Sequence, residues 1–280
     1  MKLLLEQIIE NVKKYPELPA VTAEPGNMTF RQLYDCALHI AGKLKALGVS
    51  KGDFVTIELP RSPEYMAAML SSWMLGTVFV PEDVQYPEER RDFIASDCAA
   101  KARVDAVFMK EAAYSKPLSE DAFAPLSPED PSVLIYTSGS AGMPKGVLHT
   151  QQSVLDSVAR GRRVFGLEGD HPGDQCATPV PFSFIAGIGM ASIMLCCGGG
   201  TCLPPSSVVM DPELFADYIE EHHAVIAYIP PKLLRLFKKK GRGLPGLLQL
   251  SRSPRQGLSD DPFPLLLVGV LPAFQCRSPG

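Results

Sequence analysis

The chain has 280 residues, 46% hydrophobic and 21% charged, with a formal net charge of −4 and no block of five like charges. That balance belongs to a globular protein with a sizeable core and excludes a disordered or coiled-coil chain. Nucleic acid is excluded as a principal partner, because binding a phosphate backbone requires clustered Lys and Arg; the densest basic run, FKKKGR at 237–242, reads as a solvated helix end.

Apolar positions 3, 4, 5, 8, 9 and 12 share one face of an opening helix. Glu6 and Glu10 interrupt the apolar run that a secretion signal needs, so a cytoplasmic location is expected. In MTFRQLYDCALHIAGKLKALG, Thr29 and Gln32 have capping-box spacing and Gly48 closes the helix. FVTIEL (54–59) reads as a strand. RSPEYMAAMLSSWMLG then offers Ser62 as N-cap, Pro63 at the first helical position and Gly76 as stop.

Beyond it come a strand at TVFV, a helix from Pro87 to about Cys98, a strand at VDAVFM, and the strand SVLIYT. A short strand at GVLHT, a helix from about Ser153 to Phe165 and a strand near 176–180 follow. Late in the chain, Asp211 and Pro212 begin a helix in DPELFADYIEEHH, before the strand AVIAYI and a helix at PKLLRLFKKK. Strands alternating with helices of ten or more residues predict an α/β fold, mostly parallel sheets flanked by helices.

No charged residue occurs from Gln175 to Met210, and FIAGIGMASIMLCCGGGTCL approaches the length of a membrane span. Bracketing prolines, a glycine triplet and the lack of close Lys or Arg favour a buried helix, a turn and a strand, so no membrane span is expected. The seven cysteines lack metal-ligand spacing, Cys197-x4-Cys202 being the nearest approach; they read as reduced, buried thiols, with no metal site. Residues 241–280 carry six prolines and six glycines without sustained periodicity, and are expected to form an irregular tail beyond a partial domain at 1–240.

The most informative stretch is YTSGSAGMPKGV at 136–147. Glycines let backbone N–H groups converge on an anion, hydroxyls add donors and Lys145 supplies compensating charge, which together suit phosphate oxygens. A plain surface turn is the competing reading, but so many donors within nine residues of a strand end oppose it. Neither the Walker pattern nor GxGxxG is met, because Pro144 precedes Lys145 and Gly146 follows it.

These residues resemble the phosphate loop of the adenylate-forming superfamily of acyl-CoA synthetases, luciferase and nonribosomal peptide synthetase adenylation domains. MTFRQLYDCALHIAGKLKALGVSKGDFV resembles the family's opening helix and strand, and WMLGTVFVPEDVQYPEERRDFIASD is similar to its G-A-x-x-V-P-L-D-P-x-Y-P-x-x-R stretch. PFSFIAGIGMASIMLCCGGGTCLP falls where the family has a substrate-pocket helix; the resemblance covers about residues 1–240.

It implies a two-step reaction. A carboxylic acid attacks the α-phosphate of ATP, giving an acyl-adenylate and pyrophosphate, and a thiol (CoA or a carrier-protein phosphopantetheine) or an amine then takes the acyl group. By that resemblance Thr137, Ser138, Gly139, Ser140, Gly142 and Lys145 bind the β- and γ-phosphates, with Lys145 as charge partner and Mg²⁺ neutralising the leaving pyrophosphate. Phe182, Phe184, Ile185 and Gly187 would line the acid pocket, although core packing explains the same residues. His149 reads either as a pocket residue or as a strand-end core histidine.

The sequence also departs from the pattern. Ala141 replaces a loop hydroxyl, and Ile185 stands where amino-acid-activating members carry an ammonium-pairing Asp, which directs the expectation to an acid with an uncharged tail. No Y-G-x-T-E segment and no lid lysine appear. The expectation is thus a truncated ligase impaired alone, from a frameshift or premature stop; the alternative is a non-catalytic nucleotide- or partner-binding remnant.

Overall fold

The computed structural model describes residues 2–24, 26–138 and 143–229, and the backbone of 265–267. In chain order the elements are α1 (Leu4–Lys14), β1 (Pro19–Ala23), β2 (Asn27–Thr29), α2 (Phe30–Ala46), β3 (Phe54–Ile57), α3 (Pro63–Leu75), β4 (Val78–Pro81), α4 (Glu88–Asp97), β5 (Ala102–Val104) and α5 (Ala106–Ala112). A 3-10 turn at Glu120–Ala122 precedes β6 (Pro131–Ser138), β7 (Pro144–Thr150), α6 (Gln151–Val164), β8 (Gln175–Ala177), α7 (Ile185–Cys196), β9 (Gly200–Leu203), α8 (Ser206–Val209), α9 (Pro212–Glu221), β10 (Ala224–Tyr228) and β11 (Leu265–Leu267).

The strands form two sheets, one ordered β11-β10-β8-β9-β1-β2 and the other β5-β3-β4-β6-β7. All pairings are parallel except the hairpins β1·β2 and β6·β7. The fold is α/β with mostly parallel sheets and flanking helices, as the alternation of elements predicts. β11 lies within the proline-rich 241–280 segment and pairs parallel with β10. The helix expected at PKLLRLFKKK falls outside the described residues.

Local chemistry explains the helix ends. The Thr29 hydroxyl accepts from Gln32 N while the Gln32 side chain accepts from Thr29 N, closing the capping box of α2. The Ser62 side chain accepts from Tyr65 N, Pro63 opens α3, and Gly76 ends it in the left-handed region at φ 67°. VDAVFM does not form the expected strand. Asp105 accepts from Phe108 N at 2.7 Å and N-caps α5, so the strand stops at Val104, and the apolar residues beyond it serve a helix face.

α3 is buried at nearly every position, and Trp73 Nε1 donates to Ser132 Oγ at 2.9 Å, satisfying its one polar atom inside the core. α7 accounts for the uncharged stretch: twelve residues long, it lies against α1 and α6. Asn11 Nδ2 donates to Leu195 O at 2.8 Å, satisfying a carbonyl at its end, and a Cβ at Gly161 would stand 2.3 Å from Ile193 Cδ1, so α6 approaches closely. Among the described residues no helix is long and apolar enough to cross a membrane.

Candidate functional site

The β6–β7 hairpin holds the glycine-rich loop. Its register places Thr137 opposite Lys145 and Ser138 opposite Pro144. Thr137 Oγ1 donates to the Lys145 backbone O at 3.4 Å, and both residues are exposed, so a hydroxyl-bearing and an ammonium-bearing residue are paired across the hairpin next to the loop. Gly146 is explained by packing, since a Cβ there would come within 2.9 Å of Leu134 Cδ1 and 3.4 Å of the Tyr136 ring. The Tyr136 hydroxyl is anchored in turn on Asp97 Oδ2 at 2.5 Å. Gly139, Ser140, Ala141, Gly142 and the Ser138 side chain lie outside the described residues.

His149 is buried and pairs with Val133 four positions from Lys145, about 13 Å along the strand. Burial depresses its pKa, favouring neutral imidazole.

A second feature lies at the ends of the strands. A cavity of about 240 Å³ is lined by residues that follow β1, β3, β4, β8 and β9, including Glu24, Arg61, Glu82, Asp83, Phe182 and Ser183. Within each sheet these strands run parallel, so the cavity sits at their carboxyl ends, where α/β sheets bind ligands. β6 runs parallel to β4 through Phe79↔Val133, so the hairpin tip leaves its sheet at the same end as Glu82–Gln85.

Arg61 braces this cavity. Its guanidinium donates to Thr178 O at 2.6 Å and to Pro204 O, joining the chain beyond β3 to the segments leaving β8 and β9 of the other sheet. Burial lowers its pKa to about 10. Tyr65 and Phe182, both lining the cavity, pack as a tilted pair with ring centroids 4.9 Å apart and planes at 36°.

The other three predicted pocket residues do not line the cavity. Phe184 is exposed at the N-cap of α7, Ile185 packs on the main core, and a Cβ at Gly187 would fall 2.5 Å from Pro181 O. The structure thus brings Thr137 together with Lys145, and Phe182 to the cavity, while His149 lies toward the other end of its strand.

Sequence reasoning missed Arg61, Tyr65, Glu82 and Ser183. Glu82 is 1% exposed, and neither carboxylate oxygen has a hydrogen-bond partner. Burial, with Glu58 nearby, pushes it up to about 8, against the opposing effect of Arg103 and Arg91. Its signal was available: the quoted family stretch has Leu between Pro and Asp where this chain reads Pro81-Glu82-Asp83.

For phosphate, the observed hairpin fits, because exposed Thr137 and Lys145 are paired across it where the chain enters and leaves the glycine-rich stretch of the sequence. For a metal, no group of three or more His, Cys, Asp or Glu among the described residues could hold one. Fold and hairpin define an α/β protein of the adenylate-forming kind. The model of the AMP-binding enzyme family matches residues 8–261, and the chain belongs to that family.

It is 28% identical over 265 residues to an L-proline–[L-prolyl-carrier protein] ligase of Pseudomonas fluorescens, spanning 86% of this chain and 53% of that protein. It is 31% identical over 229 residues to malpibaldin synthetase of Mortierella alpina, covering 76% of this chain and 4% of that one. The chain therefore spans about half the length of the first relative and a small fraction of the second.

Among solved structures, the inhibitor-bound N-terminal domain of FACL13 from Mycobacterium tuberculosis superposes with a TM-score of 0.75 at 22% identity, covering 87% of this chain and 67% of that one. The N-terminal subdomain of Klebsiella oxytoca NpsA, in complex with 3-hydroxyanthranilyl-AMSN, gives 0.72 at 24%, covering 86% and 63%. At these identities the likeness is one of fold.

Proposed function

We propose that the protein activates a carboxylic acid as its acyl-adenylate and passes the acyl group to the thiol of CoA or a carrier-protein phosphopantetheine. The carboxylate oxygen forms a bond to the α-phosphorus of ATP while the bond to the pyrophosphate oxygen breaks; the thiol sulfur then displaces AMP from the acyl carbon. The observation that carries this reading is the face-to-face placement of Thr137 and Lys145 at the hairpin tip of a chain in this family. In this reading Thr137, Ser138, Gly139, Ser140, Gly142 and Lys145 contact the β- and γ-phosphates, and Lys145 balances charge as pyrophosphate leaves.

Enzymes of this family generally use ATP and Mg²⁺. When bound, Mg²⁺ would neutralise phosphate charge, but no carboxylate cluster among the described residues fits it, so no step is assigned through it. The carrier-protein acceptor is supported by the name of the L-prolyl ligase relative. A cytoplasmic location is supported by the six described cysteines, all free thiols and five of them buried.

ATP–pyrophosphate exchange with a mixed acid panel tests the proposal: label entering ATP supports it, and nucleotide binding without exchange favours a non-catalytic remnant. Lys145→Ala should remove most affinity for Mg·ATP by calorimetry, and unchanged affinity would take the loop out of the site.

A further inference from the structure

Where β8 and β9 end, a proline cuts their ladder of hydrogen bonds short. Gly200 N donates to Asp174 O at 2.8 Å and Thr178 N to Cys202 O at 3.0 Å, so the next bond of this parallel ladder would run from the amide of residue 204 to Thr178 O. Residue 204 is proline and has no amide hydrogen. Arg61, which follows β3 of the other sheet, supplies the missing donor: Nη1 donates to Thr178 O at 2.6 Å, and Nη2 donates to Pro204 O. Both Thr178 and Pro204 are buried, where an unpaired carbonyl is costly.

No acid competes for this guanidinium, since Arg61 forms no ion pair among the described residues. Burial lowers its pKa only to about 10, so it stays cationic at neutral pH and both carbonyl bonds are charge-assisted. Its planar fork reaches two acceptors at once, which the point charge of a lysine does not reproduce. The elements on either side lead to the two halves of the site. Thr178 runs through Phe182 into the start of α7 at Ile185. Arg61 directly precedes Ser62, the N-cap of α3, and Trp73 of α3 donates to Ser132 near the start of β6, the strand that ends in the phosphate hairpin.

We propose, resting on the adenylation reading, that Arg61 is a positioning residue for that reaction, holding the segments that leave β8 and β9 in a fixed place against the sheet that carries the phosphate hairpin. Its effect is exerted through those two segments and not by contact with substrate. In that reading the phosphates sit at the hairpin and the acid beside α7, so attack on the α-phosphorus needs the two sheets held in one geometry; a misplacement of about 1 Å costs about a hundredfold in rate. The Tyr65–Phe182 ring pair, from α3 to the segment after β8, backs the same junction with packing but has no directional bond. Arg61 supplies the direction.

The test compares full-chain Arg61→Lys and Arg61→Gln, checked for folding by circular dichroism, with Asp105→Ala as a destabilised control. In both Arg61 variants kcat/KM for acid-dependent ATP–pyrophosphate exchange should fall about ten- to hundredfold while Mg·ATP affinity by calorimetry changes less than about twofold, and Asp105→Ala should leave both within about twofold. Native-state hydrogen exchange should quicken at least about tenfold at 178–184 and 203–209 and stay unchanged across β6 and β7. Unchanged pyrophosphate exchange in a folded Arg61 variant, an equal loss in Asp105→Ala, or ATP affinity lost in step with the rate would each overturn the proposal. If the unmodified protein exchanges no label with any acid, the adenylation reading fails and hydrogen exchange alone decides on Arg61: faster exchange at the two segments leaves the brace standing, and unchanged protection removes it. Where neither variant folds, the unmodified protein decides, because segments pinned by one side chain should open together, and independent opening overturns the proposal.

Discussion

Replacing Glu82 by Gln should stabilise the protein in alkaline solution and leave it almost unchanged in mild acid. Burial and Glu58 push the carboxyl from its ordinary 4.5 up to about 8. Between those values the native state holds a proton that the unfolded chain has released. Stability therefore falls as pH rises through the window, and the deficit is complete above about 8. At about 1.4 kcal/mol per pH unit, the gap corresponds to an upper bound of about 5 kcal/mol. Glu82 is one of the residues lining the cavity, and its carboxylate, enclosed in the protonated state, can turn toward water on ionising and recover part of its hydration, so the expected gain is about 2–3 kcal/mol. Gln keeps the shape of the protonated acid and cannot ionise. Urea melts of both proteins at about pH 5 and about pH 8.5 would measure it, provided the denaturant slope is shared. The same midpoint difference at both pH values, or a variant less stable at the higher pH, would refute the reasoning.

Gly187→Ala puts a Cβ 2.5 Å from the Pro181 carbonyl oxygen, a backbone atom that cannot swing aside, and should cost about 1–3 kcal/mol in thermal or urea melts. Asp105→Ala removes the cap that accepts from Phe108 N and should cost about 1 kcal/mol by the same measurement. Burial raises the pKa of Cys176, Cys196, Cys197 and Cys202. All four should resist iodoacetamide at neutral pH in the native protein and react after unfolding, as read by peptide mass spectrometry.

Elements fixed by local chemistry were legible in the sequence, and those fixed by convergence were not. Thr29 with Gln32, and Ser62 with Pro63 and Gly76, marked α2 and α3 because capping and left-handed termination involve residues a few positions apart. VDAVFM misled because a short stretch with five apolar residues in six fits a strand or a helix face equally well, and the sixth, Asp105, decided it as a cap. The β1–β2 hairpin gave no separate signal, since Thr29 ends β2 and caps α2 at once. The phosphate loop stood out because its donors are consecutive. The cavity did not: its walls come from five strand ends separated by up to about 180 positions, and only the odd Glu82 hinted at it.

The strand pairing also explains why the loop differs from a Walker motif. In a Walker loop the lysine sits at the start of a helix, and the anion is held at the helix N-terminus. Here the chain returns antiparallel, and only antiparallel strands can be joined by so short a connection, because a parallel return needs a crossover of a dozen or more residues. That return sets Lys145 in register with Thr137 and leaves Pro144 at the first position of β7, where a proline interrupts the ladder least. Pro144 before Lys145 and Gly146 after it, the two residues that break the Walker pattern, are the ones the hairpin requires: one opens the strand, and the other makes room for Leu134 and Tyr136 beneath it. The lysine is thus aimed by a ladder of backbone hydrogen bonds, and its position depends on the sheet that carries the neighbouring cavity.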